Sequence, residues 1–98
     1  MPSFALMTKL APAEVKNPLL RAQRGRRGMA RVRATCHGVK WIAPYAMLGP
    51  YDCLDIYEAP SEETAARVSL VTLAMGASAA ESWTPIPYDR YLKLTRSI

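Results

Sequence analysis

Two helix-start signals divide this chain, and each stands behind a segment of alternating bulk. The first is Asn17-Pro18, a capping side chain ahead of a residue preset for the first helical turn. The second is Pro60-Ser61-Glu62-Glu63, in which Ser61 caps and the acids favour the positive end of the helix dipole. Strand-like alternation before, between and after these signals gives the order strand, helix, strand, strand, helix, strand. Few architectures accept that order.

Ser3 to Leu10 carries Phe4, Leu6 and Leu10 on one side and reads as the first strand, ended by Ala11-Pro12. The spacing predicts a helix from Pro18 to about Cys36. Val15, Leu19, Ala22, Met29, Val32 and Cys36 form its apolar arc, and Gly38 closes it. Gly25 and Gly28 each cost about 1 kcal/mol in a helix interior, and Arg26 and Arg33 project towards the apolar arc. Either a local break or two arginines reaching over the domain edge resolves this. Val39 to Leu48 is the second strand, with Trp41, Ala43, Tyr45 and Met47 on one side. Pro44 lacks a ladder donor, which implies an edge strand or a bulge. Gly49-Pro50 turns the chain into a third strand, Tyr51 to Ala59. The second helix runs to about Met75 and stops at Gly76. Ala77 to Thr84 is the last strand, and a short helix over Tyr88 to Thr95 ends the chain.

This order suits one α+β domain over residues 1–98, a ferredoxin-like βαββαβ unit with a four-stranded antiparallel sheet and two helices on one face. The other face is then uncovered, and Trp41, Tyr45, Asp55, Tyr57, Glu81 and Trp83 are expected on it. Water is a poor neighbour for so many aromatics. A chain of 98 residues also hides a limited share of its surface alone. A homodimer, or an oligomer built from dimers, is the expected solution.

The net charge of +5 is unevenly placed. From Lys16 to Lys40 there are eight basic residues and no acid, so one segment is strongly basic while the rest is near balance. Cys36 and Cys53 have neither metal-ligand nor redox-pair spacing, and the first ten residues do not form an export signal. No run approaches the ~20 apolar residues of a membrane span. A cytoplasmic protein with reduced thiols and no membrane partner is expected.

Leu48-Gly49-Pro50-Tyr51-Asp52 resembles the Gly-x-Tyr-Asp turn of the GYD-domain family, small proteins of the dimeric α/β-barrel type. Glu58-Ala59-Pro60, the alanine-rich second helix, Lys16-Asn17 and Gly38 also fall where similar proteins have them. The resemblance spans roughly Ser3 to Leu94 and implies a fold and a sheet-to-sheet dimer rather than a reaction. The all-basic first helix with its two glycines departs from the family's usual mix of acids and bases.

The motif turn Gly49, Tyr51 and Asp52 is functional in one reading. In the other, Asp52 caps local backbone donors and Tyr51 packs over the hairpin. Asp55 and Glu81 are the acids expected in a barrel lumen, where desolvation would make either a general base. Ion pairing to Arg26, Arg33 or Lys40 is the structural alternative. Trp41, Tyr45, Tyr57 and Trp83 would line a ligand cavity between sheet faces, with Tyr45, Tyr57 or His37 assisting any catalysis. His37, the lone histidine, is equally explained by the helix C-terminus it adjoins. Neither a metal site nor a cofactor is expected. Arg21, Arg24, Arg27 and Arg31 form a basic face, either simply solvated or docking an acidic protein partner. Nucleic acid is the weaker reading, because no aromatic residue accompanies that charge.

Three functions remain open on these residues: an oligomeric domain binding a small organic ligand, a cofactor-independent enzyme of proton-transfer chemistry (isomerase, dehydratase or monooxygenase-like), and an interaction module working through the basic helix.

Overall fold

A computed structural model describes residues 1–98. The elements are β1 (Ser3–Lys9), α1 (Pro12–Lys16), α2 (Pro18–Thr35), β2 (Lys40–Ala46), β3 (Cys53–Glu58), α3 (Glu62–Ala74), β4 (Ala79–Trp83) and α4 (Tyr88–Thr95). The four strands form one antiparallel sheet in the order β2-β3-β1-β4. This is the ferredoxin-like arrangement that the element order predicts, with α1 and α4 added. No helix is long and apolar enough to cross a membrane.

The start signals act as their chemistry requires. Asn17 Oδ1 accepts from the Leu20 amide at 3.1 Å, and Ser61 Oγ accepts from the Thr64 amide at 3.2 Å, each relieving one orphan donor of a first turn. Gly38 and Gly76 follow α2 and α3 with φ of 81° and 109°, a region open to glycine at little cost. Pro44 falls on edge strand β2, where its missing N–H breaks no central ladder, and the register shifts between Trp41 and Ala43. Both readings of Pro44, edge and bulge, hold together.

The core lies between the sheet and the helices. Phe4, Leu6, Tyr57, Ala59 and Ala80 from the sheet side meet Val32 and Cys36 at the end of α2 and Ala65 and Val68 of α3. Tyr57 is its centre and is fully buried. Its ring stacks on Phe4 at 5.6 Å and tilts against Trp41 at 5.2 Å. The hydroxyl pairs with Ser82 Oγ at 2.6 Å and donates to the Ala65 carbonyl at 3.3 Å, so its polar atom is satisfied in the interior.

That placement corrects the face assignment made from sequence. In the register, Leu6 opposes Asp55, Phe4 opposes Tyr57 and Tyr57 opposes Trp41, which puts Trp41, Asp55 and Tyr57 under the helices. Tyr45, Glu81 and Trp83 share the outer face with Ala5, Met7, Leu54 and Ile56. The bulge causes part of the split, because it reverses the side-chain parity between Trp41 and Tyr45. The rest follows from β3, whose Leu54 and Ile56 face outward while Tyr57 supplies the core.

Helix α2 is continuous through both glycines and meets the core only through its C-terminal half. Val15 and Leu19, expected in the apolar arc, are exposed, as are Ala22, Arg26 and Arg33. Only 13 of the 98 residues are buried, a small core that leaves much apolar surface for other contacts.

Candidate functional site

Beneath the middle of α2 lies a cavity of about 280 Å³. Its floor is the helix-facing side of the sheet: Leu6 and Thr8 of β1, Cys53 and Asp55 of β3, and Trp41 of β2. Gly25, Gly28, Met29 and Val32 of α2 form its roof. Leu10, Glu14, Arg24, Thr72, Met75 and Ala77 complete the lining. The cavity exists because α2 presents glycines where a helix packed on a sheet would present large side chains. A Cβ placed at Gly25 or Gly28 would meet no atom within 4 Å.

Short helix α1 and the start of α2 are clamped together. Arg24 Nη1 contacts Glu14 Oε1 at 3.2 Å, and the Glu14 side chain is nearly buried. Arg21 donates to the Glu14 and Val15 carbonyls at 3.4 and 3.3 Å. The expected basic face is therefore divided. Arg21 and Arg24 are engaged with α1, while Arg27 and Arg31 stay exposed without an acidic partner. The reason is position along the helix: Arg21 and Arg24 lie in the first two turns of α2, within reach of Glu14 and Val15, whereas Arg27 and Arg31 lie further from α1.

Asp55 is the one cavity carboxylate without a partner in the chain: it accepts no side-chain hydrogen bond and belongs to no ion pair. Burial raises its proton affinity above the ordinary aspartate value, and no neighbouring charge offsets this. Burial likewise raises the Cys53 thiol, helped by the Asp55, Asp52 and Glu14 charges against a smaller opposing effect of Arg21.

A second constellation sits on the outer face. Glu81 accepts from the Tyr51 hydroxyl and, through Oε1, from Trp83 Nε1 at 2.9 Å. The Tyr51 and Trp83 rings meet edge to face at 5.9 Å. These hydrogen bonds, Tyr51's first, hold the Glu81 carboxyl below its ordinary value, and the Tyr51 hydroxyl is raised by the same bond. Glu81 is thus an ordered, already engaged acid on an exposed face.

Of the residues expected in the lumen, only Trp41 and Asp55 meet in the cavity, joined there by Arg24 of the expected basic face. Tyr57 is withdrawn into the core, where Ser82 and Ala65 take its hydroxyl. His37 lies beyond the far end of α2, in a shallow polar depression with Thr35, Ser61, Glu63 and Arg67. Tyr45, Glu81 and Trp83 stand on the opposite side of the sheet. Sequence reasoning missed Glu14, Arg24, Gly25 and Gly28 as cavity residues. The signal was present in the two glycines, which stand three apart on one helix face.

The family model of the GYD domain matches residues 4–95, nearly the whole chain. The chain belongs to the GYD domain family. No curated protein and no solved structure matches this GYD domain. Its motif turn does structural work on both sides. Asp52 Oδ2 accepts from the Leu10 amide at 2.8 Å, the Asp52 amide donates to the Thr8 carbonyl, and the Asp52 carbonyl accepts from Met47. One aspartate therefore ties the β2–β3 hairpin to the end of β1. Gly49 turns with φ of 145°, and Tyr51 crosses to Glu81 on β4 rather than covering its own hairpin.

Proposed function

We propose that this GYD domain is a homo-oligomeric small-molecule binder that holds its ligand beneath α2. The observation that carries the reading is the cavity, which joins a mostly apolar lining to one unpartnered carboxylate, Asp55. Concave apolar space with a few convergent polar groups is the usual form of a ligand site. At about 280 Å³ it lies at the small end of such pockets, suited to a compact organic molecule.

Oligomerisation belongs to the same proposal and draws on the outer sheet face. Tyr45 and Trp83 are 55% and 49% exposed there, beside the half-buried Leu54 and Ile56. Helix α4 buries none of its residues and exposes Tyr88, Tyr91 and Leu92. A second copy applied to the outer face would cover apolar surface that the small core leaves outside. In this arrangement the dimer contact and the ligand cavity occupy opposite sides of the sheet.

Proton-transfer catalysis is a second reading, favoured by the desolvated Asp55 carboxyl next to the apolar lining. Asp55 would be its base. Glu81 and His37 do not face the cavity and have no part in it.

Native mass spectrometry of the gently purified chain tests the proposal. A dimer-based assembly carrying an additional small mass supports it, and the identity of that mass separates a binder from an enzyme. A bare monomer contradicts it.

A further inference from the structure

We propose that the cavity beneath α2 selects a compact organic cation, an ammonium group borne on an apolar body, with Asp55 as its counter-ion. The inference rests on the cavity reading above and names the ligand class for the same site.

Three charged side chains line the cavity: Glu14, Arg24 and Asp55. Glu14 and Arg24 neutralise each other at 3.2 Å, which leaves the single negative charge of Asp55. None of the arginines of α2 reaches it, since the one ion pair in the structure is the Arg24–Glu14 contact. A half-buried carboxylate without a counter-ion costs free energy, and a cation placed against it recovers that cost in a medium of lower dielectric than water. An anionic ligand would meet the reverse: repulsion from Asp55 and a guanidinium already occupied by Glu14.

The remaining lining suits the body of such a ligand. Trp41 offers an aromatic ring, which favours a cation in reach of its face and an apolar group elsewhere. Leu6 and Met29 supply aliphatic and thioether surface, and Met adapts its shape to irregular ligands. Gly25 and Gly28 set the height of the roof, so size is limited by the helix backbone rather than by side chains that could swing aside.

The test uses three probes of nearly the same shape: phenethylammonium, 2-phenylethanol and 3-phenylpropionate, titrated into the full chain by calorimetry. The ammonium is expected to bind at least tenfold more tightly than the alcohol, and the propionate most weakly. Asp55→Asn should reduce the preference for ammonium over alcohol to less than twofold, while Gly28→Leu should remove binding of both. Equal binding of ammonium and alcohol, or tightest binding of the propionate, overturns the cation inference and leaves the cavity reading standing. If none of the three binds and none moves the Gly28 amide resonance, the cavity reading fails and the inference fails with it.

Discussion

Asp55 stands directly opposite Leu6 in the β1–β3 register, on the side of the sheet that faces the helices. A carboxylate and a core leucine thus share one surface. The leucine is buried, and the carboxylate opens into the space that α2 leaves above the floor. A sheet position of this kind is normally apolar, and the charge there destabilises the empty fold unless something pairs with it.

Stability should record that cost. Burial raises the Asp55 carboxyl above its unfolded value, so the native state holds this proton more firmly than the unfolded chain does. Stability then falls as pH rises from the unfolded pKa, about 3.9, through the raised native one, and Asp55 contributes no further change above it. Asp55→Asn should stabilise the protein at pH 7, by less than about 1 kcal/mol after allowance for solvent screening of a half-buried group. The gain should vanish near pH 3. Urea denaturation of both proteins at the two pH values measures it.

The α2 glycines should exchange stability for room. Nothing lies within 4 Å of a Cβ at either position, so alanine fits without displacement and gains up to about 1 kcal/mol of helix propensity at each. Gly25→Ala and Gly28→Ala should raise thermal stability and weaken binding of a cavity ligand together. Calorimetric melting alongside a binding titration reads both effects. A loss of stability in either variant would mean that the glycines are needed for helix geometry rather than for space.

Most of the architecture was legible because it rests on local chemistry. Asn17, Ser61, Gly38 and Gly76 mark helix ends through hydrogen bonds and backbone freedom that hold in any context, and Pro44 announced both an edge and a bulge. The site was less legible because it depends on which face of each strand turns inward. Alternation in β3 separates Leu54 and Ile56 from Asp55 and Tyr57 but is symmetric between inside and outside. What decides it is the hydroxyl of Tyr57 finding Ser82 and the Ala65 carbonyl, contacts that span 25 and 8 residues of sequence. The short helix α1 and its clamp on Arg21 and Arg24 escaped notice for a similar reason, since the buried partner is Glu14, outside the basic run.

On the outer face, Tyr51→Phe removes the larger of the two hydrogen bonds that lower the Glu81 carboxyl. Its titration should move up towards the ordinary glutamate value, with the Trp83 bond retaining part of the shift. Because the native pKa is depressed, the stabilisation associated with Glu81 is present above its unfolded pKa and is lost as pH falls through the native one. Carbon-detected NMR of the side-chain carboxyl follows the change directly.

The same face should carry the subunit contact. Ile56→Arg puts a charge at the middle of the outer surface of β3, where a second sheet would have to desolvate it. Light scattering coupled to size exclusion should find the parent chain as a dimer or dimer-based oligomer and the variant as a folded monomer. A parent chain that is already monomeric at micromolar concentration would remove the outer face from the account.

The most direct measurement is amide chemical-shift mapping of the full chain during titration with phenethylammonium. Shifts are expected to concentrate at Gly25, Gly28, Met29 and Asp55, with Tyr45, Ile56 and Trp83 unmoved. Shifts confined to Tyr45, Ile56 and Trp83 would place binding on the outer face of the sheet and contradict a ligand site beneath α2.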